Sequence, residues 1–142
     1  MSLFSALQVS ASGMSAQRTR AEVAVQNMAN AETTRTPEGG PYRRKDVVFT
    51  TDLQSSPFSA VFQNELAEGV RVADVAEDNQ PPDMRYLPGH PDANADGYVA
   101  FPRMNPAEEM VNLMSASRSY QANVAAISSV KDMISRSIAI MS

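Results

Sequence analysis

The acidic run at residues 92–97 has the clearest potential for chemistry in this chain. Asp92, Asn94 and Asp96 alternate with alanines and precede Gly97, which is how a calcium-binding EF-hand loop begins. Such a loop needs a bidentate glutamate at its twelfth position, where this chain has Arg103. Prolines on both sides of the run also exclude the flanking helices. We therefore expect a polar turn without calcium affinity, leading into a strand at residues 97–101.

The remaining titratable residues offer no recognisable catalytic pair. His90 is the only histidine and lies between a glycine and a proline, with no nucleophilic serine in a recognisable elbow nearby. The chain has no cysteine, which excludes disulfides and thiolate metal sites. Glu108 and Glu109 are adjacent carboxylates, but their position in a first helical turn is explained by the cap and the helix dipole. We expect no catalytic site, no metal and no cofactor.

The longest regular apolar pattern runs from residue 105 to residue 141. Asn105 is a good N-cap residue, Pro106 suits the first helical position, and Glu108 can reach back to the cap. The pattern predicts one helix of about 54 Å. Its heptad lines predict a packing seam and comprise Leu113, Tyr120, Ile127, Ile134 and Met141 on one line, and Met110, Ser117, Val124, Lys131 and Ile138 on the other. The helix could pack within one chain or between subunits, and the polar Ser117 and Lys131 favour the second.

Residues 3–28 repeat this pattern. The two lines are Phe4, Ala11, Arg18 and Val25, and Leu7, Met14, Ala21 and Met28. Gly13 and several serines weaken the helix, so we expect it to form only when it is packed. Asn30 follows the last apolar residue and is predicted to end the helix as a left-handed cap.

The middle of the chain has a different character. Residues 35–41 are rich in turn formers, and strands are predicted at residues 42–50, 58–66, 69–75 and 97–101, with loop over the rest of 77–102. The basic triplet at residues 43–45 predicts a solvated strand edge. The fold class is therefore mainly α with a small β-rich insertion, in which two long terminal helices pair as an antiparallel coiled coil. The expected parts are residues 1–34, 35–104 and 105–142.

The charge distribution excludes one class of partner. The chain has 142 residues and a formal net charge of −4. Residues 1–40 and 105–142 each hold three basic and three acidic groups, so the whole excess lies in the middle, where six basic face ten acidic. An acidic middle segment does not provide the basic surface that binding to nucleic acid requires. No run of eighteen apolar residues and no basic segment before an apolar one occurs, so we expect neither membrane insertion nor a cleaved secretory signal.

Motifs near both ends carry a family resemblance. Those in the first part of the chain are SGMSAQR at residues 12–18, NMANAETT at 27–34 and GGPYRRK at 39–45. Later ones are HP at 90–91, GYV at 97–99, EEM at 108–110 and SRSYQANV at 117–124. In this order they resemble the axial proteins of the bacterial flagellum, and most of all the rod proteins of the proximal part of the flagellar basal body. Met28 stands where that family usually has leucine, a substitution that conserves volume.

The resemblance implies a structural subunit of the flagellar rod that transmits torque and is needed for motility. It implies export through the flagellar type III apparatus without a cleaved signal, and assembly in the periplasm with copies of itself and other rod subunits. It implies no catalysis, no cofactor and no small-molecule substrate. The alternatives are a helical adaptor or secreted effector that binds one partner helix, and a small hydrolase, for which the sequence offers no constellation.

The residues that we predict to form the assembly seam are the larger apolar members of the heptad lines. They are Phe4, Leu7, Met14, Val25, Met28, Met110, Leu113, Tyr120, Val124, Ile127, Ile134, Ile138 and Met141.

Overall fold

A computed structural model describes residues 3–52 and 69–141 of the chain. Its elements are α1 (Leu3–Ala29), β1 (Lys45–Asp52), β2 (Gly69–Glu77), β3 (Asp83–Tyr86), β4 (Tyr98–Phe101) and α2 (Pro106–Met141). The expectation of a mainly helical protein with terminal helices and a small antiparallel β insertion is confirmed. Within the described residues, neither helix is long and apolar enough to cross a membrane.

The ends of the two helices are capped by asparagines in different ways. At the start of α2, Asn105 Oδ1 accepts a hydrogen bond from the N–H of Ala107 at 3.0 Å, so the predicted N-cap is confirmed. At the end of α1, Asn30 Nδ2 donates to the carbonyl of Gln26 at 2.9 Å. No described residue other than glycine has a positive φ, so the prediction of a left-handed cap at Asn30 is wrong. The asparagine side chain satisfies the terminal carbonyl instead.

The terminal helices α1 and α2 pack against each other, and α1 also contacts both strands of the β1–β2 pair. The two helices run in opposite directions, because residue numbers fall along one helix as they rise along the other in the contacts Asn27–Glu109, Arg20–Asn112 and Gly13–Asn123. The approach is close, since a Cβ atom added at Gly13 would lie 3.1 Å from Asn123 Nδ2. Small buried residues on both helices, Ala16, Ala24 and Ala116, allow the same closeness elsewhere along the pair.

Only one of the two predicted heptad lines in each helix turns inward. Half-buried members are Leu7, Met14, Met28, Leu113, Ile127 and Ile134. Exposed members are Phe4, Val25, Met110, Tyr120, Val124 and Ile138, and the side chain of Met141 lies outside the described part. The second inward line of α2 is offset by one residue from the predicted one and consists of Glu109, Ala116, Asn123 and Val130. The two predicted lines therefore do not share one face.

The described part of the insertion contains two separate antiparallel strand pairs. β1 pairs with β2 from Lys45 opposite Glu77 to Asp52 opposite Gly69, with a bulge after Val48. β3 pairs with β4, from Asp83 opposite Phe101 to Tyr86 opposite Tyr98. Strands were expected close to β1, β2 and β4, whereas the strand expected at residues 58–66 lies outside the described residues. The expectation of loop at residues 83–86 is wrong. All four residues of β3 are exposed, so pairing with β4 forms this strand and no burial pattern marks it.

The acidic run at residues 92–97 is the polar turn that the sequence predicts. Asn94 Oδ1 accepts hydrogen bonds from the N–H groups of Asp96 at 3.0 Å and Tyr98 at 2.8 Å. Asp92 accepts a bond from the hydroxyl of Thr34 at 2.8 Å, which ties the turn to the chain that follows α1. No described group of three or more His, Cys, Asp or Glu residues could hold a metal ion.

Candidate assembly site: a polar hub between the helices and the hairpin

Four polar side chains meet where the helix pair joins the β1–β2 pair. We call them the polar hub: Asn27 in the last turn of α1, Tyr42 and Arg44 before β1, and Glu109 in the first turn of α2. Asn27 is 0% exposed and Glu109 is 2% exposed. Buried groups of this polarity destabilise a fold unless they bond to one another. The hub is therefore a set of bonds that must form together.

Asn27 uses the whole bonding capacity of its side-chain amide. Its Nδ2 group donates to the carbonyl of Lys45 at 2.8 Å and to Glu109 Oε2 at 3.0 Å. Its Oδ1 atom accepts from the hydroxyl of Tyr42 and from the N–H of Lys45, both at 3.0 Å. Two donors and two accepting lone pairs are all that an amide offers. One residue thus joins α1, the turn before β1, β1 itself and α2.

Arg44 and Glu109 form the ion pair of the hub. Arg44 Nε donates to Glu109 Oε1 at 2.6 Å, and Arg44 also pairs with Asp46. Burial acts to lower the pKa of Arg44, but the hydrogen bond and charge of Glu109, together with Asp46, outweigh it and raise that pKa above its ordinary value. The guanidinium therefore keeps its charge in the hub at neutral pH.

Two sequence interpretations are corrected by this ion pair. The basic triplet is a solvated edge only at its first member, since Arg43 is exposed whereas the Arg44 side chain is 25% exposed. Glu109 does more than favour the helix dipole, because its side chain is 3% exposed and bonds to both Arg44 and Asn27. A dipole effect needs no such partners.

Tyr42 is the neutral donor of the hub. Its hydroxyl donates to Asn27 Oδ1, and the residue is 8% exposed. Burial, followed by the negative charges of Glu77 and Glu109, raises the pKa of the Tyr42 phenol above its usual 10.0. The phenol therefore keeps its proton, which the bond to Asn27 requires.

The turn before β1 brings Tyr42 back onto the end of α1. Gly39 and Gly40 have φ values of 92° and 79°, a region that glycine adopts without strain. The N–H of Thr36 donates to the carbonyl of Gly40 at 2.9 Å, and the N–H of Tyr42 donates to the carbonyl of Thr33 at 3.0 Å. The two glycines and the proline that follows them thus position the hub residues that come next.

The arrangement of the described residues is structural in character. His90, the sole histidine, accepts a hydrogen bond from the N–H of Asp92 through Nδ1 at 3.1 Å, and its ring lies tilted by 59° to the ring of Phe101, with 6.4 Å between the ring centroids. It lies in the loop between β3 and β4, whereas the hub lies where the helices meet β1. The hub itself pairs each charge with its opposite and exposes no activated nucleophile. Its geometry serves to fix the directions of four chain segments.

Comparison with known proteins agrees with this structural character. A family model described as the flagellar basal body rod FlgEFG protein C-terminal matches residues 95–140. The flagellar basal-body rod protein FlgC of Borreliella burgdorferi is 41% identical over 99% of both chains. The proteins of the same name from Escherichia coli and Bacillus subtilis are 43% and 40% identical over 97% and 99% of each chain. This chain belongs to the FlgC family. The resemblance drawn from the terminal motifs is confirmed, and the family is one of structural flagellar rod proteins.

None of the hub residues belongs to the predicted assembly seam. Heptad counting selects apolar side chains, and the hub residues are polar. A signal for them was nevertheless present, because Asn27, Tyr42, Arg44 and Glu109 all lie within the motifs that carry the resemblance to the FlgC family. Two neighbouring motifs, at residues 27–34 and 39–45, therefore meet a third, at residues 108–110, at one place in the fold.

Proposed function

We propose that this protein is a structural subunit of the flagellar basal-body rod that assembles by helix packing into a shaft transmitting torque to hook and filament. The observation that carries the proposal is the apolar outer surface of the helix pair. Met110 is 57% exposed, Val124 is 43% exposed and Ile138 is 59% exposed. A helix face of this kind is stabilised when a neighbour covers it. Rod subunits packed side by side would provide that cover.

The two heptad lines of α2 then make different contacts, one within the chain and one between subunits. The half-buried line, which includes Leu113, Ile127 and Ile134, packs within one chain as the core of an antiparallel coiled coil. The exposed line, which includes Met110 and Val124, contacts neighbouring subunits. In this division residues 1–34 and 105–142 form the inner coiled-coil domain, and residues 35–104 form an outer domain.

The polar hub is a stiff joint between those two domains. Torque applied to the outer domain must reach the helix pair through the segments that Asn27 and Glu109 hold. Hydrogen bonds have narrow preferences for distance and angle, and a fully satisfied buried network admits one arrangement. The hub therefore resists rotation of one domain against the other.

The partners of this protein are copies of itself, other rod subunits and the flagellar type III export apparatus. Its location is the periplasmic part of the rod, reached without a cleaved signal peptide. The electrical neutrality of both terminal segments supports packing between copies, because like charges do not repel across the contact. Weak intrinsic helix formation, caused by Gly13 and the neighbouring serines, supports passage through an export channel in an unfolded state.

A charge on the exposed line tests this function. Val124→Asp should leave the monomer folded, because the side chain is 43% exposed, and the protein should be made and exported at normal levels. Rods should fail to assemble and cells should not swim, because every intersubunit contact would bury an unpaired carboxylate. The measurements are circular dichroism of the monomer, electron microscopy of basal bodies and motility in soft agar.

Ser129→Asp is the matched control. It is exposed on the same helix, and five residues of helix place it about 140° around the axis from Val124. Cells with this variant should swim. Normal rods and normal swimming with Val124→Asp would show that the exposed line is not a packing surface.

A further inference from the structure

A cleft of about 400 Å³ opens beside the polar hub, between α1, β1 and α2. Its apolar lining comes from Val23 and Ala24 on α1 and from Val47 and Phe49 on β1. Its charged lining includes Arg20 on α1 and the Arg44–Glu109 pair of the hub. A cleft with apolar walls and charged groups at fixed positions is suited to receive one polar side chain of another molecule.

Arg20 differs from the other charged residues of this cleft. Arg44 pairs with Glu109 and Asp46, and Lys45 pairs with Glu77 at 3.7 Å. Arg20 is half-buried, and its only bond to a described residue is a 3.3 Å contact from Nη2 to the neutral Asn112 Oδ1. No described carboxylate lies within ion-pair distance of it. The cleft thus contains one guanidinium whose charge is not balanced within the described chain.

We infer that this cleft is an intersubunit socket in which Arg20 binds a carboxylate from a neighbouring copy of this chain. The inference rests on the proposed function, since it names one contact of the proposed assembly. A guanidinium presents a planar set of donors that matches a carboxylate, and arginine is enriched among the residues that dominate interface energies. The apolar walls exclude water from such a pair and so strengthen it.

A second copy is the occupant that the charge distribution favours. Residues 41–104 hold ten acidic groups against six basic ones. Among the described residues, Asp74 and Asp96 are exposed in this segment and form no ion pair. A socket on the helices and a carboxylate on the insertion would make a contact between unlike surfaces of identical chains. Contacts of that kind build rings where the rotation between copies closes and helical filaments where it does not.

A photo-crosslinking experiment in living cells tests the socket. A photoreactive amino acid at Val47, in the cleft wall, should crosslink the full-length protein to a second copy of itself in assembled rods. Mass spectrometry should place the crosslinked peptide within the acidic insertion. A crosslink only to a different protein, or none in assembled rods, would overturn the inference.

Variants of Arg20 then test the charge. Arg20→Glu should lower the yield of the crosslinked dimer by at least about tenfold, because it replaces an attraction across the interface with a repulsion. Arg20→Gln keeps an amide that can bond to Asn112, and should weaken the crosslink without changing monomer stability. Arg20→Lys should restore part of the yield. An unchanged yield with Arg20→Glu would overturn the inference.

Arg18→Gln is the control, since the Arg18 side chain is 76% exposed and already pairs with Glu22. It should leave the crosslink unchanged. These experiments distinguish failure of the Arg20 socket from failure of the proposed rod function. If labelled wild-type protein is found in purified rods but Arg20→Glu assembles normally, the socket is wrong and the rod function stands. If wild-type protein is absent from rods, the function itself is wrong.

Discussion

The two ends of the helix pair differ in which kind of side chain is buried and which is exposed. At one end, Asn27 and Glu109 are buried and bond to groups of the same chain. At the other end, residues 135–140 are all exposed, and Ile138, Ile140 and Phe4 are 59%, 86% and 77% exposed. Polar side chains are therefore buried at the hub end, and apolar side chains are exposed at the far end. Both are the reverse of what is usual, since polar residues are mostly exposed and large apolar residues mostly buried.

This difference separates two requirements of an assembling subunit. Directional polar bonds fix one arrangement of a single chain, because each donor must meet its acceptor at a narrow range of distances and angles. Contacts between apolar side chains have no such directional preference. An exposed apolar surface is stabilised by any complementary surface that removes it from water. The buried polar groups of the hub therefore set the shape of the subunit, and the far end adds apolar surface to the exposed line that begins at Met110. Substitutions at the two ends should separate folding from assembly.

The largest loss of stability should come from the hub. Glu109→Ala removes the acceptor of Arg44 Nε and of one of the two N–H groups of Asn27 Nδ2 in a buried place. This should lower the free energy of unfolding by about 3 kcal/mol. The loss falls at the lower end for a broken buried pair, because Arg44 keeps Asp46 and its side chain is 25% exposed. Urea unfolding of the monomer measures it. Glu108→Ala is the control, since the neighbouring residue is exposed, and a loss of similar size there would contradict a specific role for the hub.

A smaller loss is expected from the middle of the helix pair. Ile127 is half-buried against α1, and Ile127→Asp should lower the free energy of unfolding by about 2 kcal/mol because a carboxylate loses water without gaining a partner. Cells should make and export the variant but lose motility. Ser128→Asp, one residue further on and exposed, should have little effect on either measurement. Normal swimming with Ile127→Asp would show that this line makes no packing contact.

The sequence was sufficient for the helices and for most of the strands, since caps, heptad spacing and glycine-proline turns are local signals. It was not sufficient for the packing face of α2. Heptad counting favours Met110 and Val124, whereas the inward line contains Glu109 and Asn123. A buried polar residue is recognisable only through its partner, and the partners of Glu109 lie more than sixty residues earlier in the chain.

The strand β3 is a second feature that is recognisable only through its partner. Its residues, Asp83 to Tyr86, are all exposed and lie between a pair of prolines and a proline-glycine pair. Met84 and Tyr86 do alternate with Asp83 and Arg85, but over only four residues, which is the shortest alternation that indicates a strand, and turn formers lie on both sides of it. The strand exists because it pairs with β4, where Val99 is fully buried. The pairing depends on both segments together and cannot be recognised from β3 alone.

A smaller loss of stability is expected from substitution of Tyr42, the neutral donor of the hub. Tyr42→Phe removes the bond to Asn27 and should lower the free energy of unfolding by about 1 kcal/mol at pH 7. The raised pKa of Tyr42 stabilises the wild-type fold fully below the unfolded value of about 10, and this contribution is lost as the pH rises through the higher folded value. The difference between wild type and variant should therefore shrink at strongly alkaline pH.

Urea unfolding of both proteins at pH 7 and near pH 11 measures this change. Tyr86→Phe is the control at neutral pH, because Tyr86 is 64% exposed and keeps its ring contact with Tyr98 when the hydroxyl is removed. A constant difference between wild type and Tyr42→Phe across the alkaline range would show that the Tyr42 phenol is not held neutral by the hub.

The smallest effect on the monomer, and the sharpest contrast with Glu109→Ala, is expected at the far end. Ile138→Ser combined with Ile140→Ser should change the free energy of unfolding by no more than about 0.5 kcal/mol, since both side chains are already in water. The same variant should assemble poorly into rods, because the apolar surface that a neighbour would cover is gone. Urea unfolding and electron microscopy of basal bodies are the two measurements, and Ser135→Ala is the exposed control on the same turn of helix. If the double variant destabilised the monomer as much as Ile127→Asp does, the far end would be part of the folding core and the contrast between the two ends would not hold.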